Sequence, residues 1–88
     1  MVPAPKLKKV NIMAKYNGHK NWNHWNVSLW INNDEGLYRY AIGLINECSS
    51  KDEAAELMRY RLAQDGITKT PDGAPYSKTT IRAAMVGM

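Results

Sequence analysis

All three tryptophans of this 88-residue chain fall within nine consecutive residues, and this cluster constrains the fold more than any other feature. Trp22, Trp25 and Leu29 recur at the spacing of one face of an α-helix. A helix that is apolar on most sides is either buried centrally or uses one face to bind a partner. We expect at least two of the tryptophans to be buried, with Trp25 and Leu29 in the core. Further apolar residues fall on neighbouring and opposite faces of the same segment: Val27, Trp30 and Ile31.

Capping residues and helix breakers divide the chain after residue 20 into four predicted helices. Asn21 is a suitable N-cap for the first helix, and an Asn or Asp of the run 32–34 ends it and caps the second. Ser50, with Glu53 three residues later, has the spacing of a capping box. Ser77 can cap the last helix. The predicted ranges are 22–32, 35–48, 52–65 and 78–86.

Apolar residues recur at helical spacing in the later segments and predict a small core. Glu56 and Tyr60 fall on the outer side of the third helix, and residues 68–77 form a loop around a Pro-Asp-Gly turn. The fold class is therefore all-α, a small bundle of three to four short helices with a disordered basic N-terminal tail. The expected core residues of the last three helices are Leu37, Ala41, Leu44, Ile45 and Cys48, then Ala54, Ala55, Leu57, Met58 and Leu62, then Ile81, Ala84, Met85 and Met88.

Positive charge is concentrated at the N-terminus. The other 68 residues carry seven basic and eight acidic groups, so the net charge of +4 comes from the first 20 residues. We predict that residues 1–20 form a largely disordered leader and that residues 21–88 form a single domain. The leader is either a solvated tail or an arm that binds nucleic acid by neutralising phosphates. Five lysines and no acidic residue occur in it: Lys6, Lys8, Lys9, Lys15 and Lys20.

The sequence contains no recognisable catalytic, cofactor-binding or metal-binding constellation. His19 and His24 are five residues apart, which does not place them on one face of a helix. Cys48 is the single cysteine and lies on an apolar stripe, so we expect a buried, inert thiol. We expect a protein that is not an enzyme, requires no cofactor and resides in a reducing cytoplasm. No apolar run approaches the roughly 18–20 residues needed to cross a bilayer, and we expect no membrane partner.

Asparagines among the tryptophans give the first indication of a binding site. Asn23 and Asn26 lie within the predicted first helix, where asparagine has no local advantage, so they form hydrogen bonds either across a helix pair or across an interface. Trp30 is a candidate anchor because tryptophan is enriched at interaction hot spots. We predict a partner-binding set of Trp30, Asn23, Asn26 and Tyr38.

The segment from Asn21 to Tyr38 resembles a family of small proteins encoded by bacteriophages, plasmids and some bacteria. The shared pattern is Trp-Asn-Val-x-Leu-Trp-x-x-Asn-Asp-Glu-Gly-Leu-Tyr, and Thr70-Pro71-Asp72-Gly73 resembles a later element of the same family. The chain departs from the pattern at Asn23-His24, where relatives are expected to have Glu-Thr. The resemblance implies an accessory protein of a mobile genetic element, and it implies no activity for individual residues.

Two functions follow from these observations. The first is a small accessory protein of the host cytoplasm that binds and modulates, most simply by inhibition, a host protein or a nucleic-acid-processing or defence complex. The alternative is a small nucleic-acid-binding protein that uses the lysines of the N-terminal arm. The nearly neutral body favours the first, because recognition folds for nucleic acid usually carry basic residues on the docking face.

Overall fold

The computed structural model describes residues 19–88, and this part of the chain forms four α-helices. They are α1 (Trp22–Asn33), α2 (Glu35–Glu47), α3 (Lys51–Gln64) and α4 (Lys78–Ala84). Residues 19–88 contain no strand, and the loop before α4 has one isolated antiparallel bridge, between Lys69 and Pro75. The all-α fold class is confirmed, and every helix agrees with its predicted range to within two residues.

Hydrogen bonds that local side chains accept from backbone N–H groups determine where the helices begin. Ser50 Oγ accepts from the N–H of Glu53 at 3.1 Å, as the capping-box spacing predicts. In a capping box the Glu53 carboxylate would accept from the N–H of the N-cap residue Ser50. Here it accepts instead from the N–H and the hydroxyl of Ser49, at 2.9 and 2.7 Å. These bonds hold the pKa of Glu53 below its usual value. In all four helices the N-cap side chain accepts from a backbone N–H of the first turn; the caps are Asn21, Asp34, Ser50 and Ser77.

The helices pack in a ring, in which α1 contacts α2 and α4, and α3 contacts the same two helices. The core lies inside this ring. Tyr76 of the loop packs onto the core, and only 8% of the Tyr76 surface is exposed. None of the helices in this part of the chain is long and apolar enough to cross a membrane. The buried apolar residues are Val27, Ile31, Ala41, Leu44, Ala54, Ala55, Met58, Leu62, Ala74, Tyr76, Ile81, Ala84 and Met85.

The predicted core of the last three helices is largely confirmed. Ala41 and Leu44 are buried, and Leu37, Ile45 and Cys48 are half-buried against the core. In α3, in α4 and in the residues after α4 the predicted apolar residues are likewise buried, except Leu57 and Met88, which are half-buried. Glu56 and Tyr60 are exposed, as the periodicity predicts.

The predicted orientation of α1 is wrong. Leu29 is 38% exposed and Trp22 37%, while Trp25 and Trp30 are half-buried, so no tryptophan is fully buried. The helix instead buries the side that contains Val27 and Ile31, because α2, α4 and the loop pack there. The face formed by Trp22, Trp25 and Leu29 therefore points away from the core.

Candidate interaction site at the loop before α4

The loop of residues 68–77 is folded back on itself by backbone hydrogen bonds. Thr70 donates its N–H to the carbonyl of Ala74 at 2.8 Å, and Gly73 donates to the carbonyl of Thr70 at 2.9 Å. Gly73 has a φ of +97°, a conformation that glycine adopts without a steric penalty. The Thr-Pro-Asp-Gly segment thus forms a tight turn whose tip, at Pro71 and Asp72, is exposed.

Side chains of α1 hold this turn in place. Asn26 donates from Nδ2 to Asp72 Oδ2 at 2.9 Å, and Trp30 donates from Nε1 to the same oxygen, also at 2.9 Å. The hydroxyl of Thr70 donates to Asn26 Oδ1 at 2.6 Å and accepts from the N–H of Ala74 at 3.0 Å. We call this group of Asn26, Trp30, Thr70 and Asp72 the α1–loop clamp.

The clamp combines buried and exposed polar groups. Asn26 and Thr70 are 2% and 4% exposed, whereas Asp72 lies at the surface. A buried amide or hydroxyl costs free energy unless it forms hydrogen bonds, and both side chains do so. Hydrogen bonds from Asn26 and, second, from Trp30 hold the pKa of Asp72 below its ordinary value of 3.8. The carboxylate is therefore ionised at neutral pH.

The structure brings two of the four predicted partner-binding residues together in the clamp. Asn26 is buried, and its amide forms hydrogen bonds to the loop, 44–46 residues along the chain; contact of Asn26 with a partner stays a prediction. Trp30 is half-buried and donates its indole N–H to Asp72. Asn23 is half-buried on the same side of α1, one turn before Asn26. Tyr38, on α2, is 40% exposed and takes no part in the hydrogen bonds of the clamp.

Two residues of the clamp, Thr70 and Asp72, are not among the binding residues that the sequence predicts. The available signal was the turn motif around Pro71, which predicts an ordered turn but not the helix to which it is attached. Of the lysines assigned to the nucleic-acid interpretation, Lys20 is exposed. The others lie outside the described residues: Lys6, Lys8, Lys9 and Lys15.

Other reactive side chains lie apart from the clamp. Partial burial, and then the charges of Lys20 and His19, lower the pKa of His24. Desolvation first, and then Glu53 and Glu47, raise the pKa of the Cys48 thiol at the end of α2. Between residues 19 and 88, no three His, Cys, Asp or Glu side chains are grouped so that they could hold a metal ion.

The fold and the clamp together define a small all-α protein that presents one fixed, exposed turn. A family model described as a family of unknown function (DUF7249) matches residues 12–88, and the chain belongs to this family. The match includes the whole clamp and begins nine residues before the predicted domain boundary at residue 21. Searches of curated proteins and of solved structures found no match.

Proposed function

We propose that this protein binds a host protein through the turn and the adjacent side of α1, and that it inhibits that protein by covering a functional surface. The surface consists of Asn23, Trp30, Pro71 and Asp72, which we call the loop face. The observation that carries the proposal is the α1–loop clamp, in which buried polar groups fix an exposed turn. The resemblance to proteins of phages and plasmids favours a host target, such as a nucleic-acid-processing or defence complex.

The physical argument concerns the entropy of binding. An exposed loop that must be ordered when a partner binds loses conformational entropy, and this weakens the complex. The clamp has already ordered this turn, because Asn26 bonds to both Thr70 and Asp72, and Trp30 bonds to Asp72. A rigid turn beside a tryptophan ring is a surface that a partner can engage at a small entropic cost.

The net charge of the described residues favours a protein partner. Residues 19–88 contain eight basic and eight acidic residues, so this part of the chain has no excess positive charge to attract phosphates. Nucleic-acid-binding folds usually carry an excess of basic residues on the face that docks. The loop face itself carries one charged residue, and it is the acidic Asp72.

The test compares the proteins that variants of the full chain retain from a host lysate. Pro71→Ala and Asn23→Ala change the loop face without removing a member of the clamp, and Tyr60→Ser on α3 is the matched surface control. We expect one host protein to be retained by the wild type and by Tyr60→Ser but lost by the two loop-face variants, with unchanged circular dichroism. Retention that is instead lost on Trp22→Ser or Leu29→Ser would assign binding to the outward face of α1 and contradict the proposal.

Nucleic-acid binding is the second candidate function, and one sequence observation favours it. The first 20 residues contain five lysines and no acidic residue. Such an arm binds phosphates in a way that depends steeply on salt concentration. The alternative therefore predicts salt-dependent binding of an oligonucleotide, which the protein-binding proposal does not predict.

A further inference from the structure

The two oxygens of the Asp72 carboxylate have different surroundings. Oδ2 accepts both hydrogen bonds of the clamp, from Asn26 and from Trp30, at 2.9 Å each. Oδ1 accepts no hydrogen bond from residues 19–88, and the residue is exposed. The clamp therefore fixes the orientation of the carboxylate through one oxygen and leaves the other available at the surface.

The negative charge of Asp72 is held by neutral groups. Both of its donors, an amide and an indole, are uncharged. No ion pair in the described part of the chain includes Asp72. The ion pairs of this part of the chain are Arg39–Glu35, Arg59–Glu56 and Arg82–Asp52. Because the pKa of Asp72 is lowered, the side chain is an oriented anion at neutral pH without a cation beside it in this region.

An aromatic ring adjoins this anion. The indole of Trp30 is half-buried, and its N–H edge points to the carboxylate. A guanidinium group is planar, donates hydrogen bonds to carboxylates and stacks on aromatic rings, and it loses less hydration than an ammonium group. A carboxylate fixed at the edge of an indole thus matches the chemistry of arginine better than that of lysine.

We propose that Asp72 and Trp30 form a recognition site for the guanidinium group of an arginine on the partner protein. Oδ1 of Asp72 accepts a hydrogen bond from the guanidinium, and the planar cation lies against the accessible part of the indole. Pro71, exposed beside Asp72, borders the site. This inference rests on the proposed function, since it specifies the chemistry of the partner at the loop face.

The experiment is a titration of the isotope-labelled full chain, followed by NMR at the indole N–H of Trp30. The probes are a capped Gly-Arg-Gly peptide and its citrulline analogue, which has the same shape without the charge. We expect the arginine peptide to shift the Trp30 signal in a saturable way and the citrulline peptide to shift it much less. Equal shifts with the two peptides, or no shift, would overturn the inference.

The variant Asp72→Asn removes the charge and keeps a carbonyl oxygen for Asn26 and Trp30, so the turn should stay in place. We expect it to abolish the shift caused by the arginine peptide, whereas Asp65→Asn, an exposed carboxylate at the end of α3, should preserve it. A full response in Asp72→Asn would refute the assignment.

Peptide binding and host-protein retention also separate the two proposals. Retention that depends on the loop face, without an arginine response, overturns this inference and leaves the proposed function standing. An arginine response in a protein that retains no host protein supports the recognition chemistry and counts against the proposed function.

Discussion

Asn26 and Asp72 are 46 residues apart in the sequence and are joined by a hydrogen bond of 2.9 Å between Nδ2 and Oδ2. This contact connects the middle of α1 to the tip of the loop before α4. The same asparagine accepts a hydrogen bond from Thr70 at 2.6 Å. Asn26, which is 2% exposed, thus bonds to two residues of the turn and, together with Trp30, fixes where the turn lies relative to the helix bundle.

Replacing this asparagine should destabilise the protein and free the turn. In Asn26→Ala the buried hydroxyl of Thr70 loses its acceptor, and Asp72 loses one of its two donors. We expect the free energy of unfolding, measured by denaturant titration, to fall by about 1–3 kcal/mol. Asn33→Ala, at an exposed position at the end of α1, is the control and should change stability by less than about 0.5 kcal/mol. Equal effects of the two substitutions would show that the clamp does not stabilise the fold.

Acidification should weaken the clamp through Asp72. The pKa of this carboxylate is lower in the folded protein than its ordinary value of 3.8, so its contribution to stability is fully present above that pH. The contribution is lost as the pH falls through the folded-state value. The stability difference between the wild type and Asp72→Asn should therefore be constant near neutral pH and shrink in strong acid. The pKa values of Glu53 and Glu56 are also lowered, but both proteins contain these residues, so their effects cancel in the comparison. A stability difference that does not depend on pH would contradict the prediction.

Two glycines should respond to alanine in opposite directions. Gly73 has a φ of +97° in the turn, and a Cβ added there meets no atom within 4 Å. The free-energy cost of Gly73→Ala therefore comes from the backbone conformation alone. We expect a loss of about 1–2 kcal/mol. Gly43 is in the middle of α2 with open space around it, and Gly43→Ala should stabilise the protein by about 0.5–1 kcal/mol. Thermal unfolding of the two variants measures both effects, and a stabilising Gly73→Ala would show that the turn is not held in this conformation.

The core of α2 gives a direct check of the packing. Leu44 is 2% exposed, so Leu44→Ala leaves a cavity and should cost about 2–5 kcal/mol. Ile67 is 42% exposed, and Ile67→Ala should cost far less because little buried surface is lost. Denaturant titration of both variants is the measurement. A loss below about 1 kcal/mol for Leu44→Ala would mean that this face of α2 is not in the core.

Local signals made the helices predictable, whereas the clamp depends on contacts between distant segments. The caps at Asn21, Ser50 and Ser77 act within three residues, so they can be recognised in a single sequence. The pairing of Asn26 with Asp72 joins segments that only the folded chain brings together, and no local pattern encodes it.

The error in α1 has the same physical origin. Both sides of this helix are apolar, so periodicity alone could not decide which side faces the core. The helical spacing of Trp22, Trp25 and Leu29 favours their side as the core. The side with Val27 and Ile31 is buried instead, and the polar Asn26 on that side is tolerated because the loop satisfies its amide.

The N-terminal lysines provide the last test, which separates the two candidate functions. Removing residues 1–11 leaves the whole family match and lowers the net charge by three, from +4 to +1. If the protein acts through its loop face, the truncated chain should retain the same host protein with an unchanged melting temperature, because the core of residues 19–88 is intact.

If it acts on nucleic acid, the full chain should bind an oligonucleotide with an affinity that falls steeply with salt. Truncation should then weaken binding at low salt and make the salt dependence shallower. Oligonucleotide binding with that signature, together with no dependence of host-protein retention on the loop face, would favour the nucleic-acid function over the protein-binding one.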